Sequence, residues 1–184
     1  MSKRILGIDP GTNVLGYGVL EVEGNRAKVV VVGVVEFKDL DDPYAKLRRI
    51  YEKTSSIIRE YKPDELAIEA PFFGKNIQSM LKLGRAQGVC IAAATVHNMT
   101  VNEYAPTRIK QSITGQGNAT KEAVAKILHK LLNFEDITKH LDATDALGAA
   151  YCHFLASSSP IQKRAGAKNW KEYIAQNPDK VSKQ

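Results

Sequence analysis

Two acidic side chains stand at the ends of short apolar segments. Asp9 closes the segment KRILGID, and Glu69 closes the segment ELAIE. If both segments are strands, alternate residues share a face, so Gly7 lies beside Asp9 and Ala67 lies beside Glu69. An ionised carboxylate next to a core is costly without a cation or hydrogen bonds, so this pattern predicts an open space lined by carboxylates. A turn at Asp-Pro-Gly is the alternative explanation for Asp9.

Two further acids lie three residues apart at the start of a predicted helix. Asp142 and Asp145 can therefore face the same way. N-terminal capping and a favourable contact with the helix dipole explain Asp142 without any function. They explain Asp145 less well, because it lies one turn inside the helix. The sequence Ala-Leu-Gly-Ala-Ala follows it, and such small residues allow the helix to pack closely against a sheet.

Four carboxylates in this arrangement favour metal chemistry. Carboxylate oxygens suit hard cations such as Mg²⁺, with Mn²⁺ as a substitute, and no histidine cluster competes for zinc. Cleavage of a phosphodiester by two metal ions needs the ions about 4 Å apart, one activating water and one stabilising the leaving oxygen. Without metal, crowded carboxylates repel one another and raise one another's pKa values. We therefore expect a magnesium site, with two ions per subunit during catalysis.

The elements that must position these acids follow from the hydrophobic pattern. Strands are predicted at residues 3–9, 14–22, 27–37, 65–69 and 101–104. Helices are predicted at residues 43–61, 77–97, 106–113, 120–132 and 142–156. A turn is expected at Gly24-Asn25, and Asn76 and Thr120 are expected to cap helices. This order predicts an α/β fold with a mixed five-stranded sheet, three antiparallel strands followed by parallel crossovers, flanked by helices.

Length and charge limit the domain organisation and the partners. The chain has 184 residues, which suffices for one globular domain, placed here at residues 1–157. A basic tail at residues 158–184 is predicted to be mobile or dependent on a partner. The net charge of +6 favours polyanionic partners, because lysines and arginines neutralise phosphates and release counterions.

No feature of the sequence indicates a membrane or an oxidising compartment. No apolar stretch approaches the roughly 20 residues that span a bilayer, and the start of the chain is charged too soon for a signal peptide. Cys90 and Cys152 lie in apolar helical patterns, which predicts buried reduced thiols, and their spacing matches no zinc motif. We therefore expect a soluble, cytosolic protein.

Four motifs carry a resemblance to a known family. They are GIDPGT at 7–12, IEAPF at 68–72, KLGRAQG at 82–88 and DATDAL at 142–147. In order, spacing and total length, the chain resembles the RuvC-type Holliday junction resolvases over residues 3–156. The resemblance implies an RNase H-like fold and a homodimer. It also implies resolution of four-way DNA junctions in recombination and repair, by paired symmetric nicks that leave 5′-phosphate and 3′-hydroxyl ends.

The same resemblance implies roles for individual residues and for partners. Asp9, Glu69, Asp142 and Asp145 are expected to be the metal-binding catalytic acids. The expected partners are the four-way DNA junction and the RuvA–RuvB branch-migration complex, in a bacterial cytoplasm and at the nucleoid during repair.

Side chains expected to contact DNA surround these motifs. The aromatic residue of the family falls on Phe72, which implies contact with bases near the crossover; Phe73 leaves the choice open, and a core role is the alternative. The lysines of the family fall on Lys110 and Lys121, which implies phosphate contact, with a solvated helix surface as the alternative. Further cations that could neutralise phosphates around the acids are Lys75, Lys82, Arg85 and Arg108.

A stripe of small residues marks the long helix predicted at 77–97. Gly84, Gly88 and Ala92 recur at four-residue spacing, so another backbone can approach this face closely. Its own sheet and a second subunit are both possible partners. A two-fold dimer would place two active sites on symmetry-related strands, which suits paired nicks.

Three other classes of function fit parts of the sequence. ATP-binding domains of the actin, heat-shock chaperone and sugar-kinase superfold also open with a strand, an acid and a Gly-Thr turn, but they need a far longer chain. A non-catalytic DNA-binding protein explains the positive charge but not the four placed acids, which repel phosphates without metal. A different RNase H-like nuclease, acting on RNA–DNA hybrids or structured RNA, is the third.

Overall fold

The computed structural model describes residues 2–71, 76–134, 141–158 and 174. Three of the predicted DNA contacts, Phe72, Phe73 and Lys75, lie outside the described residues. The basic tail predicted at 158–184 also lies outside them, apart from Ser158 and Ile174.

Five strands form one mixed sheet. They are β1 (Lys3–Asp9), β2 (Val14–Glu23), β3 (Arg26–Glu36), β4 (Glu65–Glu69) and β5 (Thr100–Tyr104). Their order across the sheet is β3-β2-β1-β4-β5. Strand β2 is antiparallel to β1 and β3, whereas β4 is parallel to β1 and β5. The predicted arrangement, three antiparallel strands followed by parallel crossovers, is confirmed.

The hairpin between β2 and β3 depends on its two-residue turn. Gly24 has a φ of 58°, a left-handed conformation that costs glycine little, and Asn25 follows it in the turn as predicted. Phe37 was predicted as the last residue of the third strand but lies just beyond β3. Its amide donates to the carbonyl oxygen of Asn13 at 2.8 Å, so the chain still closes against the start of β2.

Five helices surround the sheet. They are α1 (Pro43–Tyr61), α2 (Ile77–Val96), α3 (Pro106–Thr114), α4 (Lys121–Leu132) and α5 (Leu141–Ser158). Asn76 and Thr120 cap α2 and α4 as predicted, each accepting a hydrogen bond from an amide three residues further on. Asp42 caps α1 in the same way, and Pro43 occupies the first turn. The ends of all five helices lie close to the predicted ones.

Alternating side chains of β1 divide the core between the two faces of the sheet. Leu6 and Ile8 point to one face, where they pack with Ile50 of α1 and Cys90 of α2. Ile5 points to the other face, which α3, α4 and α5 cover. Because both faces are buried, the acids at the strand ends are held by a rigid support.

Helix α5 packs directly onto β1 and β2, because two glycines leave room for its backbone. A Cβ atom at Gly7 would overlap the carbonyl oxygen of Ala146, and one at Gly16 would overlap that of Asp142. The space beside Gly7 is therefore filled by the helix, and the prediction of an open space there was wrong. The prediction that the small residues of this helix pack against the sheet is confirmed, since Ala146 and Ala150 are fully buried.

The two thiols are free and buried, as predicted for Cys90 and Cys152. Burial raises the pKa of the Cys90 thiol to about 12, so this thiol is held in its neutral form. Among the described residues, no helix combines the length and the apolar character that a bilayer span requires.

Candidate metal centre

The four predicted acids occupy the ends of three neighbouring elements. Asp9 is the last residue of β1 and Glu69 is the last residue of β4. Because these strands are adjacent and parallel, both acids lie at the same edge of the sheet. Asp142 and Asp145 lie at the start of α5, whose first turn rests on Gly16, the residue paired with Asp9. Acids from opposite ends of the sequence thus converge.

Three of the four acids form one tight group. Asp9, Asp142 and Asp145 each offer a carboxylate oxygen, and these oxygens all lie within 4.8 Å of one another. Glu69 is not part of this group but lies close enough for the charges of Asp9 and Asp145 to act on it. We call the four residues the acid group below.

The acids of this group repel one another and resist ionisation. Burial, together with the charges of Asp145 and Asp142, raises the pKa of Asp9 from 3.8 to about 7. Burial and the charges of Asp9 and Asp145 raise the pKa of Glu69 from 4.5 to about 8. Burial also raises the pKa of Asp145, although Lys121 opposes the shift. Such a group takes up protons or a cation near neutral pH, so its electrostatics favour a bound cation.

Two lysines flank the acid group. The ammonium nitrogen of Lys121, the first residue of α4, contacts Oδ2 of Asp145. Burial opposes the charge of Lys121, but the hydrogen bond to Asp145 and the charges of the other acids raise its pKa overall. Lys110 in α3 lies near enough for its charge to act against the pKa shifts of Glu69 and Asp145. The two lysines for which the resemblance implied phosphate contact therefore both lie beside the acids.

Helix α2 supports the end of β4 that carries Glu69. The side-chain amide of Gln87 donates to Oε2 of Glu103 at 2.7 Å and lies 3.5 Å from the carbonyl oxygen of Glu69. The amide of Ala70 donates to the carbonyl oxygen of Tyr104 at 2.9 Å, which extends the ladder past Glu69. These contacts fix the backbone from which the Glu69 carboxylate extends. Gln87 belongs to one of the motifs above, but its contacts were not predicted.

The remaining predicted cations do not all lie at the acids. Lys82 and Arg85 share a face of α2, as predicted, and line one cavity. Arg108 lies beside Cys152, which is about two helical turns along α5 from Asp145. Arg108 therefore lies against the second half of α5.

A second polar cluster was not predicted; it centres on Glu65 and His153, at the opposite ends of β4 and α5, and the side chain of Tyr104 reaches it from the last residue of β5. Nδ1 of His153 lies 2.7 Å from the hydroxyl oxygen of Tyr104, and Nε2 lies 2.7 Å from Oε2 of Glu65. The ammonium group of Lys3 donates to the same Glu65 oxygen at 2.8 Å. We call these four residues the far-end network. They lie on four different elements, so no local motif in the sequence indicated them.

The small-residue stripe of α2 does not face the sheet. A Cβ atom added at Gly84 or Gly88 would meet nothing within 4 Å, and Ala92 is exposed. The sheet instead receives a different face of the helix, through Ala86 and Cys90. Its own sheet is therefore excluded as the partner of the stripe.

The donor set of the acid group suits a hard divalent cation. Its ligands are carboxylate oxygens, which Mg²⁺ and Mn²⁺ prefer over nitrogen or sulfur. In the part of the chain that the structure describes, no histidine or cysteine joins the three clustered aspartates. The raised pKa values of Asp9 and Glu69 show that negative charge here needs compensation.

Comparisons of the sequence with known families agree with this geometry. The family model for crossover junction endodeoxyribonuclease RuvC matches residues 5–153. The crossover junction endodeoxyribonuclease RuvC of Bacteroides fragilis is 54% identical over 181 residues, covering 97% of this chain and 96% of that protein. The protein of the same description from Porphyromonas gingivalis is 51% identical over 181 residues, covering 96% of each chain.

Solved structures with the same fold include Holliday junction resolvases. RuvC of Thermus thermophilus, in complex with a Holliday junction substrate, matches with a TM-score of 0.78 at 29% identity, covering 85% of this chain and 95% of that one. The yeast mitochondrial Holliday junction resolvase Ydc2 shares the fold, with a TM-score of 0.64 at 12% identity, covering 85% and 80%. The expected RNase H-like fold is confirmed. With the match extending from β1 to the second half of α5, the chain belongs to the RuvC family of crossover junction endodeoxyribonucleases.

Proposed function

We propose that this chain resolves four-way DNA junctions by metal-dependent hydrolysis of phosphodiester bonds. Paired symmetric nicks would leave 5′-phosphate and 3′-hydroxyl ends, as homologous recombination and DNA repair require. The observation that carries the proposal is the acid group, three of whose carboxylates lie within 4.8 Å, in a member of a family of junction endonucleases. The similar fold of Thermus thermophilus RuvC, solved with a Holliday junction substrate, supports the choice of DNA.

Mg²⁺ is the proposed cofactor, with two ions per subunit during catalysis and Mn²⁺ as a substitute. Asp9, Glu69, Asp142 and Asp145 are the residues that would hold it. When bound, such ions activate water and stabilise the leaving oxygen of the phosphodiester. The oxygen-only ligand set and the pKa values of about 7 and 8 for Asp9 and Glu69 support this assignment.

The two lysines beside the acids would make the centre less repulsive to a polyanion such as DNA. Acids alone repel a phosphate, and nearby ammonium groups offset that repulsion. The Lys121 side chain is 48% exposed whereas that of Asp145 is 14% exposed, so Lys121 is the more accessible member of this ion pair. Lys121, with the charge of Lys110 also acting on the acids, is therefore proposed to meet the DNA backbone next to the scissile phosphate.

Contact with bases is assigned to the segment between β4 and α2. Phe72, Phe73 and Lys75 lie in the sequence between the strand that ends in Glu69 and the α2 cap at Asn76. Their place in the chain supports contact with DNA near the scissile bond, and which phenylalanine meets a base stays a prediction. Preference for a cleavage sequence would arise from these contacts or from the deformability of the junction.

A homodimer is proposed to form through the exposed stripe of α2. Gly84 and Gly88 leave room for a second backbone. On the same face, Leu81 is 52% exposed and Val96 is 65% exposed, which is unusual for large apolar side chains. A second copy of the helix would bury this stripe, and two-fold symmetry would place one acid group on each of two DNA strands.

The dimer is tested by placing a charge in the stripe. Gly88→Glu is expected to convert the dimer to a monomer in sedimentation velocity, because the interface would bury an unpaired carboxylate. Ser79→Glu, on another face of the same helix, is the control and should stay dimeric. A Gly88→Glu protein that remains a dimer would place the interface elsewhere.

The proposed protein partner and the proposed cellular location are both inferred from membership of the RuvC family. The RuvA–RuvB branch-migration complex is the proposed protein partner, and the bacterial cytoplasm, at the nucleoid during repair, is the proposed location. Both are supported by the bacterial RuvC relatives. The domain at 1–157 is proposed to carry catalysis, and the basic tail at 158–184 is proposed as a mobile segment.

The proposed function is tested with a synthetic mobile junction, with and without Mg²⁺, mapping nicks on all four strands. We expect nicks at symmetric positions on two strands, only with the metal, and ends that a DNA ligase can rejoin. Linear duplex and an RNA–DNA hybrid of the same sequence are the controls. Faster cutting of the hybrid than of the junction, or no cutting of the junction, would contradict the proposal.

A further inference from the structure

A cavity of about 460 Å³ lies at the same end of the sheet as the acid group but on the face that α1 and α2 cover, and the proposed chemistry does not use it. Its walls come from the loop after β1, the start of α1 and the first turns of α2. Thr12, on the first wall, is only three residues beyond Asp9. Three residues of extended chain span at most about 11 Å, so the backbone of this wall lies within that distance of the backbone of Asp9.

The charge of the cavity favours an anion. Lys46, Lys82 and Arg85 contribute cations to its walls, against the single acid Asp41. Among the described residues, neither Lys82 nor Arg85 forms a salt bridge. The Lys46 ammonium group donates to Oδ1 of Asn13 at 2.8 Å, a neutral partner that leaves its charge uncompensated. The cavity therefore has an excess of positive charge.

The remaining walls suit a flat apolar group. Tyr44 lines the cavity with 72% of its surface exposed, far more than a core tyrosine, and Leu47 and Leu83 add apolar surface. A nucleobase stacks on an exposed aromatic ring, and its phosphate is neutralised by lysine or arginine. The volume is also in the range of about 300–1,000 Å³ that holds a small ligand. An aromatic ring, apolar side chains and three cations together match a nucleotide.

We propose that this cavity holds one nucleotide of the cleaved strand, with its base against Tyr44 and its phosphate among Lys46, Lys82 and Arg85. The proposal rests on the proposed function, because it takes the ligand to be the strand at the acid group. A strand advances about 3.4 Å per nucleotide along a duplex, so the nucleotide lies within about three positions of the scissile phosphate. Unpaired bases near a junction crossover are free to enter such a site.

The proposal is tested with a fluorescent base analogue placed in the DNA near the cut. A series of four-way junctions is prepared, each with a single 2-aminopurine at one of the four positions on either side of the mapped cut. Ca²⁺ replaces Mg²⁺ to prevent cutting. Wild-type protein is expected to change the fluorescence most at one position within three nucleotides of the cut. Tyr44→Ala should abolish that change and raise the junction Kd about tenfold, whereas Tyr44→Phe should keep both near wild type. Tyr51→Ala, an exposed tyrosine of α1 outside the cavity, is the control.

Charge is tested separately from stacking. Lys46→Ala should lower the slope of log Kd against log salt by about one, and Arg59→Ala, in the last turn of α1, is its control. If wild type cuts the junction but Tyr44→Ala and Lys46→Ala match their controls, the cavity assignment is overturned while the proposed function stands. If the wild-type protein does not cut the junction, the proposed function is contradicted, and the cavity assignment, which rests on it, is contradicted with it. Binding of free deoxynucleoside monophosphate as tight as that of the junction would overturn the assignment to a strand.

Discussion

The two ends of the layer formed by β4 and α5 contain similar residue types in opposite electrostatic states. At the acid group, burial and neighbouring charges raise the pKa values of Asp9 and Glu69 to about 7 and 8. At the far-end network, burial again disfavours the charge of Glu65. Hydrogen bonds from Lys3 and His153 outweigh that effect, so the pKa of Glu65 is lowered.

The difference separates structural carboxylates from those that await a ligand. Glu65 finds both of its partners within the chain, and both ring nitrogens of His153 are hydrogen-bonded. The acid group has four carboxylates and one lysine in direct contact with them among the described residues. The negative charge of Glu65 is thus fully compensated by partners within the chain. The negative charge of the acid group is compensated only in part, which favours binding of a cation.

The largest effect is expected from Asp9→Asn, which removes a proposed metal ligand but none of the proposed phosphate contacts. Cutting of a four-way junction with Mg²⁺ should fall at least about a thousandfold, while the junction Kd stays within a few-fold of wild type. Glu65→Gln, at the far-end network, is the matched control and should cut at a rate near that of wild type per folded molecule. Cutting by Asp9→Asn in the same gel assay would reject Asp9 as a ligand.

Removing His153 should affect stability rather than chemistry. His153→Leu leaves the Tyr104 hydroxyl and the Glu65 carboxylate without their buried partner, so the free energy of unfolding in urea should fall by about 2–3 kcal/mol. Tyr104→Phe removes one hydrogen bond and should cost about 1 kcal/mol. The cutting rate per folded molecule should stay close to wild type in both variants. An abolished rate with unchanged stability would show that the far-end network serves catalysis.

The two ends should respond to pH in opposite directions. The raised pKa values of Asp9 and Glu69 mean that, from about pH 4 to 8, the folded protein binds more protons than the unfolded chain. Metal-free stability should therefore fall as pH rises through this window, by about a few kcal/mol. Glu65 has a lowered pKa, so its contribution is present above about pH 4.5 and is lost as pH falls through its folded pKa.

This pH dependence is measured by thermal unfolding between pH 4 and 9, with EDTA and with saturating Mg²⁺. The metal should remove most of the decline, because it replaces the protons on the acids. The double variant Asp9→Asn with Glu69→Gln should also flatten the EDTA profile. A wild-type profile that is already flat with EDTA would contradict the pKa values of the acid group.

The smallest effect is expected from Lys121→Ala at the edge of the acid group. Junction processing should weaken, and the slope of log Kd against log salt should fall by about one, because one phosphate contact is lost. Lys130→Ala, on the same helix and exposed, is the control. An unchanged slope would leave Lys121 as a partner of Asp145 alone.

Local patterns explain why the acid group could be predicted. An alternating apolar segment that ends in an acid is recognisable in the sequence, at Asp9 and again at Glu69. A pair of acids at the start of a helix is recognisable at Asp142 and Asp145. The sheet order followed from the lengths of the connections and from strong strand and helix signals. The family motifs then implied which of these acids act together.

Contacts made only in three dimensions were missed or misjudged. The far-end network unites residues from β1, β4, β5 and α5, so neither Glu65 nor His153 looks special in the sequence. The open space expected beside Gly7 was wrong because the sequence shows a small side chain but not the helix that fills the room. Helical periodicity likewise identified the stripe at Gly84 and Gly88 without indicating which face of α2 meets the sheet.

The close seating of α5 on Gly7 and Gly16 bears on how the protein is made. While the chain is still attached to the ribosome, β1 and β4 emerge early with Asp9 and Glu69, but Asp142 and Asp145 arrive with the last helix of the described domain. Docking of that helix joins distant parts of the sequence, so it comes late in folding. An unfinished nascent chain therefore has the sheet that supports the centre but lacks two of the four proposed ligands, so under the proposed function nuclease activity would begin only when synthesis of the domain is nearly over.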